Sequence, residues 1–231
     1  MKISKDSLGK AYLILADFII PIPLTILMFY LWKDKTGSTT YSYFILLLGI
    51  VYGYIVPGVL SNLFKLWKFT WPFQVKNVFY HHGFIYSSYF ALILYLSFSE
   101  KIELTTLNSI RIVLANFAVF GILVSHHEIM AIRFGMIKNF NSVAAKGKSP
   151  VEVVTDFAFF SFALVGASFA YSSIYAYKQI IIEYKTSPAE MVYCFVICFL
   201  IMILSSTPYF IKERKQIKKN RELIKAGILK Y

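Results

Sequence analysis

Charge, cysteine and histidine are all scarce in this chain, and each shortage removes a class of explanation. Charged residues are 16% of the 231, while 58% are hydrophobic and 18% aromatic. With a mean hydropathy of +0.61, that balance excludes a soluble globular domain of this size. The two cysteines, Cys194 and Cys198, lie four apart on one face of a predicted helix. They are poorly placed for a disulfide and too few for zinc, so they read as buried small hydrophobes. The alternation of period two that a membrane β-barrel needs is missing, which leaves helices. There is no low-complexity tract and no internal repeat, so one domain is expected. No small-residue cleavage site follows the first apolar run, which is expected to be retained as a span and not removed as a signal peptide.

What is present is a succession of apolar runs, each near the roughly 20 residues needed to cross a hydrocarbon core of about 30 Å. They cover 11–32, 43–66, 78–98, 107–132, 153–177 and 191–211. The fold class expected is therefore all-α: a polytopic integral membrane protein of about six transmembrane helices, in a cell membrane or endoplasmic reticulum membrane. Residues 1–211 form a single six-helix domain and 212–231 a basic tail. Pro21 and Pro23 predict a kinked or interrupted first span.

The net charge of +12 is distributed by side. Three basic residues fall in the amino-terminal tail (Lys2, Lys5, Lys10), three between spans two and three (Lys65, Lys68, Lys76), four between spans four and five (Arg133, Lys138, Lys146, Lys148) and eight in the carboxy-terminal tail. The opposite side holds five, Lys33, Lys35, Lys101, Lys178 and Lys185, with Arg111 inside span four. Eighteen against five follows the positive-inside rule with both termini cytoplasmic. The tail IKERKQIKKNRELIKAGILKY reads as an anchor for anionic lipid headgroups and not as a nucleic-acid site. Its apolar Ile217, Leu223, Ile224, Ile228 and Leu229 allow a short helix on the membrane surface.

All four histidines stand in adjacent pairs, His81–His82 in FYHHGFIYSSYF and His126–His127 in LVSHHEIMAIRF. The topology puts the first pair at the start of span three and the second near the end of span four, hence at one depth on consecutive antiparallel spans. Neighbours on a helix diverge by about 100°, so one histidine of each pair is expected to face the interior. Asp17, Asn62, Glu128, Arg133 and Asp156 fall at the same depth. Ionisable groups there are costly and read as a functional site, although four of these residues have plainer readings. Glu128 and Arg133 could be an ion pair at a helix end, Asp156 a first-turn acid and Asn62 an interhelical hydrogen bond. Asp17 is the deepest acid. It is expected to lie within hydrogen-bond or one-water reach of a histidine or of Arg133, because burying it alone would cost several kcal/mol.

Three chemistries suit such a set. The first is acyl or lipid chemistry, with His81, His82, His126, His127 and Glu128 as candidate catalytic groups. The second uses the four histidines as ligands of iron or zinc, or one of each pair as axial ligands of haem, with Asp17, Asn62, Arg133 and Asp156 as supporting groups. The third is a small-solute or metal-ion pathway. There is no HExxH, and four histidines cannot meet the many-histidine pattern of membrane desaturases.

The His-His pair opening one span, followed by an acid and an arginine ending the next, resembles the TLC domain of ceramide synthases. His81, His82, Glu128 and Arg133 are the matching positions, with a shorter Glu-to-Arg spacing and a single acid. The chain is also similar to fatty-acid elongases, whose HxxHH and HxxMY would map onto His81, His82, His127 and Met130. Val78 and Ala131 replace a His and a Tyr there. Both resemblances imply a membrane enzyme of lipid metabolism with membrane lipids as partners; the charge distribution places the expected site near the cytoplasmic leaflet.

Overall fold

The computed structural model describes residues 5–99 and 102–230, apart from the side chains of Lys5, Phe157 and Ala158. Lys2 and Lys101 of the charge distribution lie outside the described residues. The chain is mostly helical, with helices α1 Lys5–Ile14, α2 Pro21–Thr36, α3 Thr39–Gly58, α4 His82–Ser97, α5 Thr106–Arg133, α6 Pro150–Tyr177 and α7 Pro188–Lys225. Four helical stretches, Thr39–Leu63, Thr106–Arg133, Phe159–Ile182 and Pro188–Lys225, are long and apolar enough to cross a membrane. The pair Asp6–Ile19 and Pro21–Thr36, bent by 50°, makes a fifth if counted as one.

The run at 78–98 differs from expectation. Val78–Phe79 pairs as a strand with Gln74–Val75, and the helix begins only at His82 and has 16 residues. At 1.5 Å per residue that is about 24 Å, short of a hydrocarbon core. His81 is thus the residue before the helix, with φ −107° and ψ 15°.

Local chemistry sets the ends. Gly37, at φ 67°, terminates α2 in the left-handed region, and Ser38 accepts from the Tyr41 N–H to start α3. Ser149 and Ser187 each cap a helix reciprocally with the glutamate three residues on, Glu152 and Glu190, with proline between. The tail is not a separate surface helix as expected. It continues α7 unbroken to Lys225, 38 residues in all, because Ile217 packs with Leu66 and Tyr209 and Glu213 and Asn220 are buried. Glu213 accepts from the N–H and hydroxyl of Ser142 at 2.9 and 2.8 Å. Asn220 donates to the carbonyls of Lys65 and Phe140, each at 2.9 Å.

Those loops carry two strands, Trp67–Phe69 and Ile137–Asn139, which pair as an antiparallel ribbon with Lys68 opposite Lys138. The ribbon meets the helices where Phe69 packs against the His82 ring at the start of α4. α3 and α4 approach closely at glycine: a Cβ on Gly83 would lie 2.6 Å from the Ile50 carbonyl and 2.4 Å from the Tyr54 ring. Cys194 and Cys198 are free and buried, as expected of small hydrophobes.

Candidate functional site

The site begins with a proline. A residue at position 21 would ordinarily donate its N–H to the carbonyl of Asp17 in an α-helix, or of Ala16 in a π-turn, and Pro21 has no N–H to give. Residues Leu15–Ile19 form such a π-turn, and both released carbonyls are taken by the neighbouring helix. The Tyr89 hydroxyl donates to Ala16 O at 2.7 Å, and His81 Nε2 bonds Asp17 O at 2.5 Å. A carbonyl only accepts, so Nε2 of His81 carries the hydrogen.

The Asp17 side chain faces the other histidine pair. It is 2% exposed, and its Oδ1 lies 3.3 Å from His127 Nε2. One residue of the bend therefore joins both pairs, His81 through its backbone and His127 through its carboxylate. The expected reach from Asp17 to a histidine is met, with His127 and not Arg133 as the side-chain partner. Asp17 Oδ2 and His82 Nδ1 are buried with no hydrogen-bond partner among the described residues.

Asp17, His82, His126, His127 and Glu128 all line a cavity of about 470 Å³, within the usual range for small-molecule sites. The rest of its wall is largely apolar and aromatic: Tyr52 and Val56 of α3, Tyr86, Tyr89 and Phe90 of α4, Phe120 and Val124 of α5, Phe162 and Val165 of α6, and Trp67, Phe69 and Ile137 of the ribbon. Ser206 of α7 also lines it and shares a hydrogen bond of 2.7 Å with the Tyr52 hydroxyl.

The four histidines have different surroundings. His82 is buried, its ring against Phe69, Phe79 and Tyr86 at 5.0, 6.2 and 5.3 Å. His127 stands 6.0 Å from the Tyr12 ring, His81 lies beside Phe18 and Phe79, and His126 is exposed. The metal reading takes His81, His82, His126 and His127 together as ligands. Among the described residues no three His, Cys, Asp or Glu side chains converge on one metal position. His81 is committed to a backbone carbonyl, and His126, about 100° around the helix from His127, is exposed while still bordering the cavity.

The supporting group also separates. Asn62 accepts from Asn77 at 3.1 Å, but Asn77 lies in the turn between the strands Gln74–Val75 and Val78–Phe79, so the bond ties a helix to a turn and not two helices, and it is outside the cavity wall. Asp156 is exposed and pairs with Lys212 of α7 at 2.6 Å; the first-turn acid of its helix is Glu152. Arg133 is exposed in the last turn of α5 and forms no ion pair with Glu128, five residues away and so about 140° around the helix. Sequence reasoning missed Tyr89 and the function of Pro21. The signal was present, since Pro21 stands four residues after the buried acid.

Compared with known protein families, with characterised proteins and with solved structures, the chain finds no match.

Proposed function

We propose that this is a membrane-embedded enzyme acting on a lipid or acyl-chain substrate, with His127, oriented by Asp17, as its general base. The observation that carries the reading is the buried Asp17–His127 pair opening onto an apolar cavity of about 470 Å³. A carboxylate accepting from one ring nitrogen fixes the imidazole's tautomer and stabilises the imidazolium formed when the ring takes a proton. Glu128, on the same wall, would receive or relay that proton. His82 would bind the polar end of the substrate, and the aromatic wall its chain. Haem or metal ligation is less well supported, since the histidines do not converge.

The chain would cross the membrane six times, with α4 as a short third span and both termini cytoplasmic. The basic groove of Phe64, Phe210, Arg214, Lys218, Arg221 and Lys225 would take anionic headgroups, cations above and aromatics below. Arg221 is held in place by the Leu63 carbonyl at 2.8 Å.

The test is mass spectrometry of lipid extracted from the purified protein, beside an absorption spectrum. Retained acyl lipid that is lost on filling the cavity with Val165→Trp supports the enzyme reading. A Soret band and no retained lipid would replace it by the haem reading. For topology, a reporter fused after Tyr231 should be silent when it requires the outer side.

A further inference from the structure

The cavity's charge carries the reading one step further, and this step rests on the cavity being an amphiphile site. We propose that it takes an amphiphile whose polar end is a hydrogen-bond donor without negative charge, an alcohol or an amine, and that it rejects carboxylate and phosphate ends. Two carboxyl side chains, Asp17 and Glu128, are on its wall, and no lysine or arginine is among the described residues lining it. An anion placed there would meet the Asp17 carboxylate in a low-dielectric setting, where the nearest group able to carry positive charge, His127, is already engaged by Asp17.

The unsatisfied atoms select in the same direction. Asp17 Oδ2 has no partner among the described residues and as a carboxylate oxygen can only accept, so a donor on the ligand would satisfy it. A hydroxyl or an amine supplies one. An ionised carboxylate or phosphate offers acceptors only. His82 Nδ1, also without a partner among the described residues, accepts or donates according to its tautomer, and a hydroxyl serves either form. Glu128 makes no hydrogen bond or ion pair to a described residue, so it too is open to a donor. The basic groove on α7 lies outside the cavity, so the two sites divide headgroups by charge, anions at the tail and neutral or cationic donors within.

The experiment measures the melting temperature of the intact protein in a neutral detergent with dodecanol, dodecylamine, dodecanoate or dodecyl phosphate. Dodecanol or dodecylamine should stabilise at about tenfold lower concentration than either anion, one decade of affinity from a single unfavourable charge contact. The preference should shrink in Glu128→Gln, and in Asp17→Asn if that variant folds. Stabilisation by dodecanoate or dodecyl phosphate equal to that by dodecanol overturns this proposal while leaving the lipid-enzyme reading intact. Stabilisation by none of the four overturns both.

Discussion

Oδ1 of Asp17 stands 3.3 Å from Nε2 of His127, and this contact ties the bend after α1 to the last third of α5. Removing either partner leaves the other without its hydrogen bond at a largely buried contact, which costs about 1–3 kcal/mol. Asp17→Asn, His127→Asn and the double variant should therefore be non-additive. The expected coupling is roughly 0.5–3 kcal/mol in thermal or denaturant unfolding. Fully additive losses would mean that the two side chains act independently.

Pro21→Ala restores a backbone N–H that competes for the Ala16 and Asp17 carbonyls. The 50° bend should decrease, read as a longer distance between spin labels at the exposed Leu8 and Tyr30. His81→Ala should then cost less stability in the Pro21→Ala background than alone. An unchanged distance distribution would show that packing, and not the missing donor, sets the bend.

Gly83→Ala should destabilise by about 1–3 kcal/mol, the usual range for overpacking, because the added carbon meets the Ile50 carbonyl at 2.6 Å. Gly58→Ala is the control, its nearest atom being 3.9 Å away, and should be near neutral in the same melting experiment. Equal effects would point to helix propensity in place of close approach.

The cap of α6 makes stability respond to acid. The backbone N–H and the hydroxyl of Ser149 hold the Glu152 carboxyl down to about 2, from an ordinary 4.5. With the folded value lowered, this stabilisation is complete above the ordinary value and lost as pH falls toward about 2. Melting temperatures followed from about pH 5 downward should decline less steeply in Ser149→Ala than in the native chain.

Hydropathy located the long helices but not their beginnings. α6 and α7 start at Pro150 and Pro188, ahead of the apolar runs at 153 and 191, because the Ser-Pro-x-Glu caps draw polar residues into the first turn. The same runs absorbed Val78 and Phe79 into a helix, although two-residue strands leave no periodicity to detect. The Trp67–Asn139 pairing is equally invisible, joining short segments far apart in the chain. The meeting of Asp17 with a histidine was legible from depth and the cost of burial. Which histidine was not, since adjacent residues differ only by a rotation that packing decides.

The clasp formed by Asn220 bears on how the protein is made. Its side chain holds the carbonyl of Lys65, 155 residues upstream, so at roughly 5–20 residues per second the first strand of the ribbon is made about eight to thirty seconds before its fastener. Trp67 and Phe69 spend that interval without the partner loop fully held. The cavity wall they contribute is completed late in synthesis, and ribosome-bound chains ending before Asn220 should leave these residues open to protease and to labelling.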